Sequence, residues 1–545
     1  MSLNLLSKTV PQTADELIDV LLKNRGIEGK KAREEFLNPT FPMEFTPESV
    51  GIDPVQMKHA IELLTAAKEK GSRVLVFGDY DADGVCSTAV MWETLNAFGC
   101  KVLPFIPDRT KHGYGLSANA LDEILADTAM KPELIISVDN GIVAIDSVKR
   151  LKKEGVQVII TDHHLPEASG FPPADAVVHT TQLCGATVAW MVAHEILPEH
   201  AAKLLDLCGI ATIADMVPLK GPNRSFAKFG VEALKTTTRP GLKVLFQVAG
   251  IDQKNIAIRE INYGIAPRIN AMARLGDAKD ALRLLCSKNA KRIEELATKV
   301  HVTNTDRQDL TGQLIELAKL KEKEWADENI IVIDDAAFHD GVIGLVAGKL
   351  VEDYWKPAIV ISRHDGISKG SARSIPGVNI IELIRKAREE LLDVGGHPMA
   401  AGFSVETAKI DAAKKKLREL AREIVTPKLL VRTTDVDCVL PWSLVNEETV
   451  QVLKVLEPHG MANPIPTFLL ENMMVIQASA MGRDQEHLKL VLHHTEAKPG
   501  ELLEAVGFGM RGKWKENTAT VQLVGQLQIN VWKTRRTMQV IIRGM

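Results

Sequence analysis

Three carboxylates alternate within one short stretch of this chain, GDYDADG at residues 78–84, immediately after the apolar run RVLVF. Acidic side chains this close raise one another's pKa, so a folded protein keeps Asp79, Asp81 and Asp83 ionised together only where cations lie among them. Oxygen ligands favour a hard divalent ion such as Mg²⁺ or Mn²⁺. A solvated acidic turn would show the same alternation, and this stretch alone does not separate the two interpretations.

Two further strand-like runs lead into metal-binding side chains. LIISV ends directly before Asp139, and VQVII ends one residue before the triplet Asp162, His163 and His164. Helix-like stretches separate the runs, and this alternation predicts an α/β fold with an open parallel sheet, whose ligands bind beyond the carboxyl ends of the strands. The strands would therefore deliver their acids to one edge. Asp215, which follows an apolar helix-like stretch, is a further candidate.

Several motifs follow one another in an order that is typical of a known superfamily. They are GDYDADG, then VDNG (138–141), TDHHLP (161–166), ADMVPL (214–219) and GGHPMAAGF (395–403). In this order the chain resembles the DHH phosphoesterase superfamily. Two more segments, PDR with GYGL (107–116) and APRINAMARL (266–275), resemble in particular the RecJ family of bacterial single-strand-specific 5'-to-3' exonucleases. Each motif is weak alone, whereas five in the family's order over most of the chain are specific.

The resemblance implies a centre of two divalent metal ions, Mn²⁺ or Mg²⁺. A two-metal site clamps both oxygens of an in-line displacement and activates a water. The implied ligands are Asp81, Asp83, Asp139, His163 and Asp215, with Asp139 bridging the ions, while Asp79 and Asp162 act as weaker or outer ligands. His164 is the residue expected to contact the scissile phosphate and to stabilise or protonate a charged oxygen.

Substrate-binding residues follow from the same resemblance. In the first lobe they are Arg109, Tyr114, Arg268, Asn270 and Arg274, and in the second lobe Ser371, Arg373, Gly395, Gly396 and His397. Single arginines are more often partners in surface ion pairs. A Gly-Gly-His turn can also need its glycines for backbone geometry alone.

The chain departs from the family pattern at two places. The loop after the DHH motif is shorter than usual, and Met272-Ala273 stands where the family has Ala-Gly. The second change removes a flexible glycine beside an expected nucleic-acid contact. Neither change touches an acid, so both bear on substrate preference more than on chemistry.

Length and composition describe a multidomain globular protein. A chain of 545 residues predicts about three or four domains. Its formal net charge of −4 does not indicate a nucleic-acid binder, so any phosphate-binding surface must be local. The six cysteines lack C-x-x-C spacing and are predicted to be buried thiols. No membrane span or signal peptide is recognisable, and a cytoplasmic location is expected.

Five segments are predicted along the chain. They are an N-terminal helical arm (1–48), a DHH catalytic domain (49–275), a connecting helix with a possible bend at Gly312 (276–328), a DHH-associated substrate-binding domain (329–425) and a C-terminal β-barrel (426–545), which the resemblance makes an OB-fold.

The last 41 residues are strongly basic, with seven Lys or Arg against one acid, Glu516. Trp514 and Trp532 are interleaved with these bases, and aromatics that stack bases beside cations that follow the backbone suit single strands. The alternative is a solvated basic rim with tryptophans in the barrel core. The basic residues are Arg511, Lys513, Lys515, Lys533, Arg535, Arg536 and Arg543.

The sequence therefore predicts a metal-dependent 5'-to-3' exonuclease that degrades single-stranded DNA to 5'-mononucleotides, in DNA recombination and repair. Two alternatives stay open: a DHH phosphodiesterase acting on short RNA or cyclic dinucleotides, and a catalytically inactive nucleic-acid-binding scaffold. The presence of all five implied ligands opposes the second. Expected partners are single-stranded DNA, a single-strand-binding protein and a helicase, and the protein is expected to be a monomer.

Overall fold

The computed structural model describes residues 2–126, 131–167, 170–532 and 535–545, with the backbone alone at residues 532 and 535. The chain divides into two compact units. One contains Phe41–Val217 and Phe229–Arg432, and the other contains Met1–Thr40, Pro218–Lys228 and Thr433–Met545.

The described strands form four sheets. In chain order they are β1 Ser2–Leu5, β2 Arg73–Phe77, β3 Lys101–Phe105, β4 Leu134–Val138, β5 Gln157–Asp162, β6 Ala176–His179, β7 Ile331–Asp335, β8 Ala358–Ser362, β9 Ile367–Arg373, β10 Asp393–His397, β11 Ala400–Glu406, β12 Thr433–Val436, β13 Cys438–Val439, β14 Phe468–Met481, β15 His487–His494, β16 Leu503–Gly507, β17 Thr520–Trp532 and β18 Arg535–Gly544.

Helices separate and cover the strands, together with short 3₁₀ turns and a π-helical turn at Glu260–Ile265. The α-helices are α1 Ala14–Asn24, α2 Lys30–Leu37, α3 Pro54–Lys70, α4 Ala82–Phe98, α5 Ala118–Ala126, α6 Ile145–Lys153, α7 Gly185–Ile196, α8 Pro198–Ala201, α9 Leu205–Ala214, α10 Gly221–Thr236, α11 Pro240–Ala249, α12 Ala266–Leu275, α13 Ala278–Cys286, α14 Ala290–Leu320, α15 Ile343–Tyr354, α16 Ile380–Arg385, α17 Ile410–Ile424 and α18 Glu447–Leu453. In the described part of the chain, none of them combines the length and apolarity needed to cross a membrane.

The first sheet confirms the predicted parallel α/β core. Its strand order is β3-β2-β4-β5-β6, and every neighbouring pair is parallel. Apolar side chains of α5 and α6 pack with Phe77, Ile135 and Ile160 on one face, while α4 and α7 cover the other. Because β2, β4 and β5 run side by side in one direction, the acidic motifs that follow them meet at a single edge.

The second sheet is mixed, in the order β10-β11-β9-β8-β7, with only β7 and β8 parallel among its pairs. Helices α16 and α17 cover one face, and α15 with the end of α14 covers part of the other. The segment 276–328, predicted as a connecting helix, contains two α-helices. They are α13 and α14, which Asn289 separates by capping the amide of Arg292, and α14 continues through Gly312.

The C-terminal strands confirm the predicted small barrel. Strand β14 pairs with β15 on one side and with β17 on the other, which closes β14, β15, β16, β18 and β17 into a ring. The predicted separate N-terminal arm is not observed as such. Leu17 and Leu21 of α1 are buried in the same apolar core as Phe468 and Leu490 of the barrel, and β1 pairs with β12. Residues 1–40 are therefore part of the barrel unit.

Candidate metal centre and substrate cleft

The acidic loop after β2 is held in shape by its own backbone. Asp81 caps α4 by accepting a hydrogen bond from the Gly84 amide (3.0 Å). The amide of Ala82 donates to Asn270 Oδ1 on α12 (2.8 Å). A Cβ on Gly84 would lie 2.6 Å from Asp79, so this turn requires glycine. The loop therefore fixes Asp79, Asp81 and Asp83 before any ion arrives.

The N-terminus of α7 lies in close contact with Asp83 and Asp139. The amides of Gly185 and Ala186 donate to the two carboxylate oxygens of Asp83, each at 2.7 Å. A Cβ on Gly185 would lie 2.4 Å from Asp139 Oδ1. Asp139 itself has a left-handed backbone, with φ of 61°. Glycine at position 185 is thus the residue that allows the helix amides to approach both carboxylates.

His163 lies at the middle of the cluster. Its Nε2 is 3.1 Å from Asp139 Oδ1, 3.7 Å from Asp215 Oδ2 and 3.9 Å from Asp83 Oδ2. Three overlapping groups of side chains bring their ligand atoms within 4.8 Å of one another. They are Asp139, Asp162, His163 and His164; Asp83, His163 and Asp215; and Asp79, Asp81 and Asp139. The structure therefore brings together every predicted metal ligand.

Burial and mutual repulsion raise the pKa values of these acids. Burial followed by the charge of Asp81 raises the pKa of Asp83 to about 6, and burial with Asp83 and Asp81 raises the pKa of Asp215 to about 9. The pKa of Asp139 is raised well above its ordinary range by burial and by four neighbouring carboxylates. Burial lowers the pKa of His163 to about 4, which leaves its imidazole neutral.

These residues fit a divalent metal centre. Asp139 Oδ1 and His163 Nε2 are buried and have no hydrogen-bond partner, a costly arrangement that a metal ion would satisfy. A neutral imidazole among carboxylate oxygens suits Mn²⁺ as well as Mg²⁺. The ordinary solvated turn is excluded for Asp79, Asp83 and Asp139, because all three are buried.

Asp162 supports the histidines. Its Oδ1 accepts from the His163 amide (2.7 Å) and lies 2.8 Å from His164 Nδ1, while its Oδ2 accepts from the Ile142 amide (2.9 Å). Burial alone would lower the pKa of His164, but the hydrogen bond and charge of Asp162, with Asp215 and Asp83 nearby, raise it to about 9. Tyr114 Oη lies 3.4 Å from His164 Nε2. His164 is therefore a cationic donor at the rim of the acid cluster.

The predicted first-lobe substrate residues divide into two kinds. Arg109 and Tyr114 are exposed beside the acids, with Arg109 5.6 Å from the Tyr80 ring centroid. Arg274 donates to the Gly341 carbonyl (2.9 Å) and has no acidic partner among the described side chains. Asn270 is committed to Ala82, so it orders the acidic loop.

Arg268 differs from the predicted substrate contact. Its Nη1 donates to the Gly264 carbonyl (2.6 Å), and its Nε and Nη2 lie 3.2 and 3.1 Å from His301 Nδ1. The side chain is 9% exposed. We therefore assign Arg268 to the packing of α12 against α14, and not to the open cleft.

The second-lobe candidates share one face of the mixed sheet. Cross-strand register aligns His397, Ala400 and Arg373 in one row and Gly395, Gly402 and Ser371 in the next, and alternate residues of a strand face the same side. A Cβ on Gly396, whose φ is 139°, would lie 2.4 Å from the Ala400 carbonyl, so backbone geometry explains this glycine. A Cβ on Gly395 would meet nothing within 4 Å, so packing does not explain that one.

Sequence reasoning missed the amides of Gly185 and Ala186. The signal was present in the run Cys184-Gly185-Ala186 at the start of a helix-like stretch, since a helix N-terminus that begins with small residues can approach an anion closely. That Asp83 would be the anion depends on packing between distant segments, which one sequence does not disclose.

Comparisons with known proteins match the chain along most of its length. Family models for the DHH family N-terminal domain, the DHHA1 domain and the RecJ OB domain match residues 73–212, 327–423 and 436–544. The single-stranded-DNA-specific exonuclease RecJ of Bacillus subtilis (strain 168) is 35% identical over 545 residues, covering 97% of this chain and 67% of the relative. RecJ of Escherichia coli (strain K12) is 30% identical, covering 99% and 98%. The chain belongs to the RecJ family.

Solved RecJ structures agree with this assignment. The crystal structure of RecJ from Thermus thermophilus in complex with Mn²⁺ matches with a TM-score of 0.81 at 30% identity, covering 100% of this chain and 78% of that one. The same protein in complex with Mg²⁺ matches with a TM-score of 0.75 at 29% identity, covering 100% and 77%.

The basic segment of the RecJ OB domain is less open than its sequence indicates. Trp514 packs against the barrel core with a buried Nε1, as in the alternative that places tryptophans inside, and Arg511 and Arg536 pair with Glu516 and Glu447. Lys513 and Lys515 are exposed, without an acidic partner among the described side chains. Lys533 lies outside the described residues, as do the side chains of Trp532 and Arg535.

Proposed function

We propose that this RecJ-family chain is a metal-dependent exonuclease that degrades single-stranded DNA from its 5' end and releases 5'-mononucleotides, in DNA recombination and repair. The observation that carries the proposal is the buried cluster of Asp139, His163 and Asp215, with two unsatisfied ligand atoms, beside the cationic His164. Membership of a family whose relatives bear the name single-stranded-DNA-specific exonuclease supports the substrate.

The chain's own residues supply binding, orientation and charge. Two Mn²⁺ or Mg²⁺ ions would be held by Asp81, Asp83, Asp139, His163 and Asp215, with Asp79 as a weaker ligand. Such ions would supply positive charge beside the phosphodiester and lower the pKa of a water. The Gly185 and Ala186 amides keep Asp83 oriented. His164, held by Asp162, offers a proton or positive charge to a phosphate oxygen from its Nε2 side.

Arginines would hold the strand beside this chemistry. Burial and the charge of Arg109 lower the pKa of Arg373, so arginines of the two lobes repel each other electrostatically. Arg109, Arg274 and Arg373 have no acidic partners among the described residues, and a phosphate backbone would relieve their repulsion. The bare backbone at Gly395 leaves room for a close approach by the strand.

The test is digestion of end-labelled strands. Single-stranded DNA and RNA, labelled in turn at each end, are incubated with the protein and Mn²⁺ or Mg²⁺. Mononucleotides that appear first from a 5' label on DNA support the proposal. Mononucleotides that appear first from a 3' label would reverse the polarity, a preference for short RNA would favour the DHH phosphodiesterase alternative, and tight binding without cleavage would favour the scaffold.

The exposed position of His397 leads to a prediction about substrate handling. His397→Ala is expected to raise KM roughly five- to tenfold, because one charge-assisted contact to the strand is worth about 1 kcal/mol or more. Metal affinity, followed by titration, should not change, because His397 lies on β10 outside the acid cluster. His59→Ala, at an exposed position of α3, is the matched control. A collapse of metal affinity with unchanged KM would contradict the assignment.

The barrel is expected to bind long single strands through Lys513 and Lys515. Changing both to Ala should lower the slope of log affinity against log salt by ~1.4, because each phosphate contact to a single strand contributes ~0.7. Very short strands should show a smaller difference than long ones. Lys31→Ala, at an exposed position of α2 beside Glu35, is the control. Equal slopes for all variants would assign the barrel another role. Deletion of residues 426–545 is a poorer test, because it would expose Leu17 and Leu21, which are buried against the barrel, and would destabilise the remaining chain.

A cytoplasmic location and a monomeric state are part of this proposal. The same holds for interactions with a single-strand-binding protein and a helicase, which suit an enzyme that consumes unwound strands. Size-exclusion chromatography with light scattering tests the monomer, and affinity capture of purified candidate partners tests the interactions.

A further inference from the structure

Arg307 lies on α14, outside the motifs named above. It is half-buried, and its Nη2 donates to Asn304 Oδ1 (2.7 Å). Asn304 is only 1% exposed, so its amide is fixed. Among the described residues no carboxylate pairs with Arg307, and burial lowers its pKa without any acid to oppose the effect. A guanidinium that is partly desolvated beside a neutral amide keeps its charge at a cost.

Other cations make this position still less favourable. Helix α14 packs against α12 through the contact between Arg268 and His301, and burial followed by the charge of Arg307 lowers the pKa of Arg268. The same charge also lowers the pKa of Arg274, which burial, Arg109, Arg373 and Arg307 together bring to about 10. Asp81 is the acid that acts against this repulsion on Arg274, and its effect is the smallest of the five. Arginines from distant parts of the chain therefore repel one another here, and none of Arg109, Arg274, Arg307 and Arg373 has an ion-pair partner among the described residues.

The packing does not explain why Arg307 is there. Its described hydrogen bond goes to a residue three positions earlier on its own helix, so it joins no two elements. Arg268, by contrast, ties α12 to α14 through His301. Arg292, on the same helix as Arg307, is exposed and has Glu295 at 3.5 Å. Arg307 thus has the surroundings of a ligand-binding cation, whereas the other two have structural or surface surroundings.

We propose that Arg307 binds a phosphodiester group of the single strand in the cleft, and that Asn304 positions its guanidinium for this contact. The proposal rests on the exonuclease function above and adds the connecting helix to the substrate-binding surface. A phosphate is the ligand that fits, because it offers paired oxygens to the planar guanidinium and brings the charge that the arginine cluster lacks. Asn304 acts through Arg307 and is a positioning residue.

The test measures binding and turnover separately. Fluorescence anisotropy of a labelled single strand with EDTA and an Asp139→Asn background gives Kd without cleavage, and steady-state digestion in the active background gives kcat and KM. Arg307→Ala should raise Kd and KM roughly tenfold and lower the salt slope by ~0.7, with little change in kcat. Arg307→Gln, which keeps the length and polarity of the side chain, should give the same loss of binding if the fold of the Ala variant is impaired.

Control variants distinguish failure of this proposal from failure of the exonuclease function on which it rests. Arg292→Ala should match the wild type throughout. Asn304→Ala should weaken binding when Arg307 is present and add nothing in the double variant, a coupling that a merely structural asparagine would not show. Unchanged Kd, KM and salt slope in both Arg307 variants would overturn the proposal while active wild-type enzyme keeps the exonuclease function. A wild type that neither binds nor cleaves single strands would overturn both.

Discussion

Replacement of Asp139 by Asn is expected to abolish cleavage while leaving single-strand binding nearly intact. Asp139 belongs to two of the three potential metal-binding groups and is in contact with His163, so its replacement removes a ligand from both groups. Loss of a bridging ligand should cost at least about 4 kcal/mol of transition-state stabilisation, or ~10³-fold in kcat. Binding of the strand depends on several arginines, and this substitution does not change them.

The same variant should be more stable than the wild type when no metal is present. Burial and the charges of Asp83, Asp81, Asp79 and Asp215 raise the pKa of Asp139, and a raised carboxyl pKa in the folded state means that stability is lost as pH rises through it. At pH 8 in EDTA the Asn variant should therefore melt a few degrees higher. The difference should vanish below the ordinary carboxyl pKa, where the wild-type group is protonated in both states.

Single-turnover cleavage in saturating Mn²⁺, strand binding by anisotropy, and thermal melting with and without Mn²⁺ test these expectations. Mn²⁺ should raise the melting temperature of the wild type more than that of the variant. Asp146→Asn, at a fully exposed site on α6, is the control for the loss of one charge. Near-normal turnover by a well-folded Asp139→Asn protein would falsify the two-metal assignment.

A single methyl group at position 185 is expected to be nearly as damaging. In Gly185→Ala the new Cβ would lie 2.4 Å from Asp139 Oδ1 and 2.5 Å from its Cβ, and both are buried. Either Asp139 moves or α7 retreats and withdraws its amides from Asp83. Overpacking of this kind costs roughly 1–3 kcal/mol of stability, and displacement of two ligands should lower kcat by ~10²-fold or more.

Gly312→Ala is the matched control, because a Cβ there meets nothing within 4 Å and the position lies in the exposed part of α14. That variant should keep full activity and gain a little stability. The Gly185 variant should also bind Mn²⁺ less tightly in a titration. If Gly185→Ala retained wild-type activity and metal affinity, the close approach of α7 to the acids would have no functional importance.

The sheet edge on which the acids lie, and their grouping there, could be predicted from the amino-acid sequence alone. Side chains that directly follow neighbouring parallel strands must meet at the strands' carboxyl ends, so the sequence alone groups Asp79, Asp139 and His163. Alternation of apolar residues likewise predicted the barrel, since period-two patterns specify one buried face per strand. These inferences succeed because they depend on neighbours within a strand and on the direction of the sheet.

The residues that each side chain contacts, in contrast, were determined only by the tertiary structure. Arg268 and Arg274 lie in one motif, yet Arg268 is bound to His301 and Arg274 reaches the second lobe at Gly341. Trp514 packs against the barrel core although its sequence neighbours Lys513 and Lys515 are exposed. The first forty residues join that barrel across more than four hundred positions of chain. Such pairings depend on contacts between distant segments, whose free energies are set by shape and burial that no local pattern encodes.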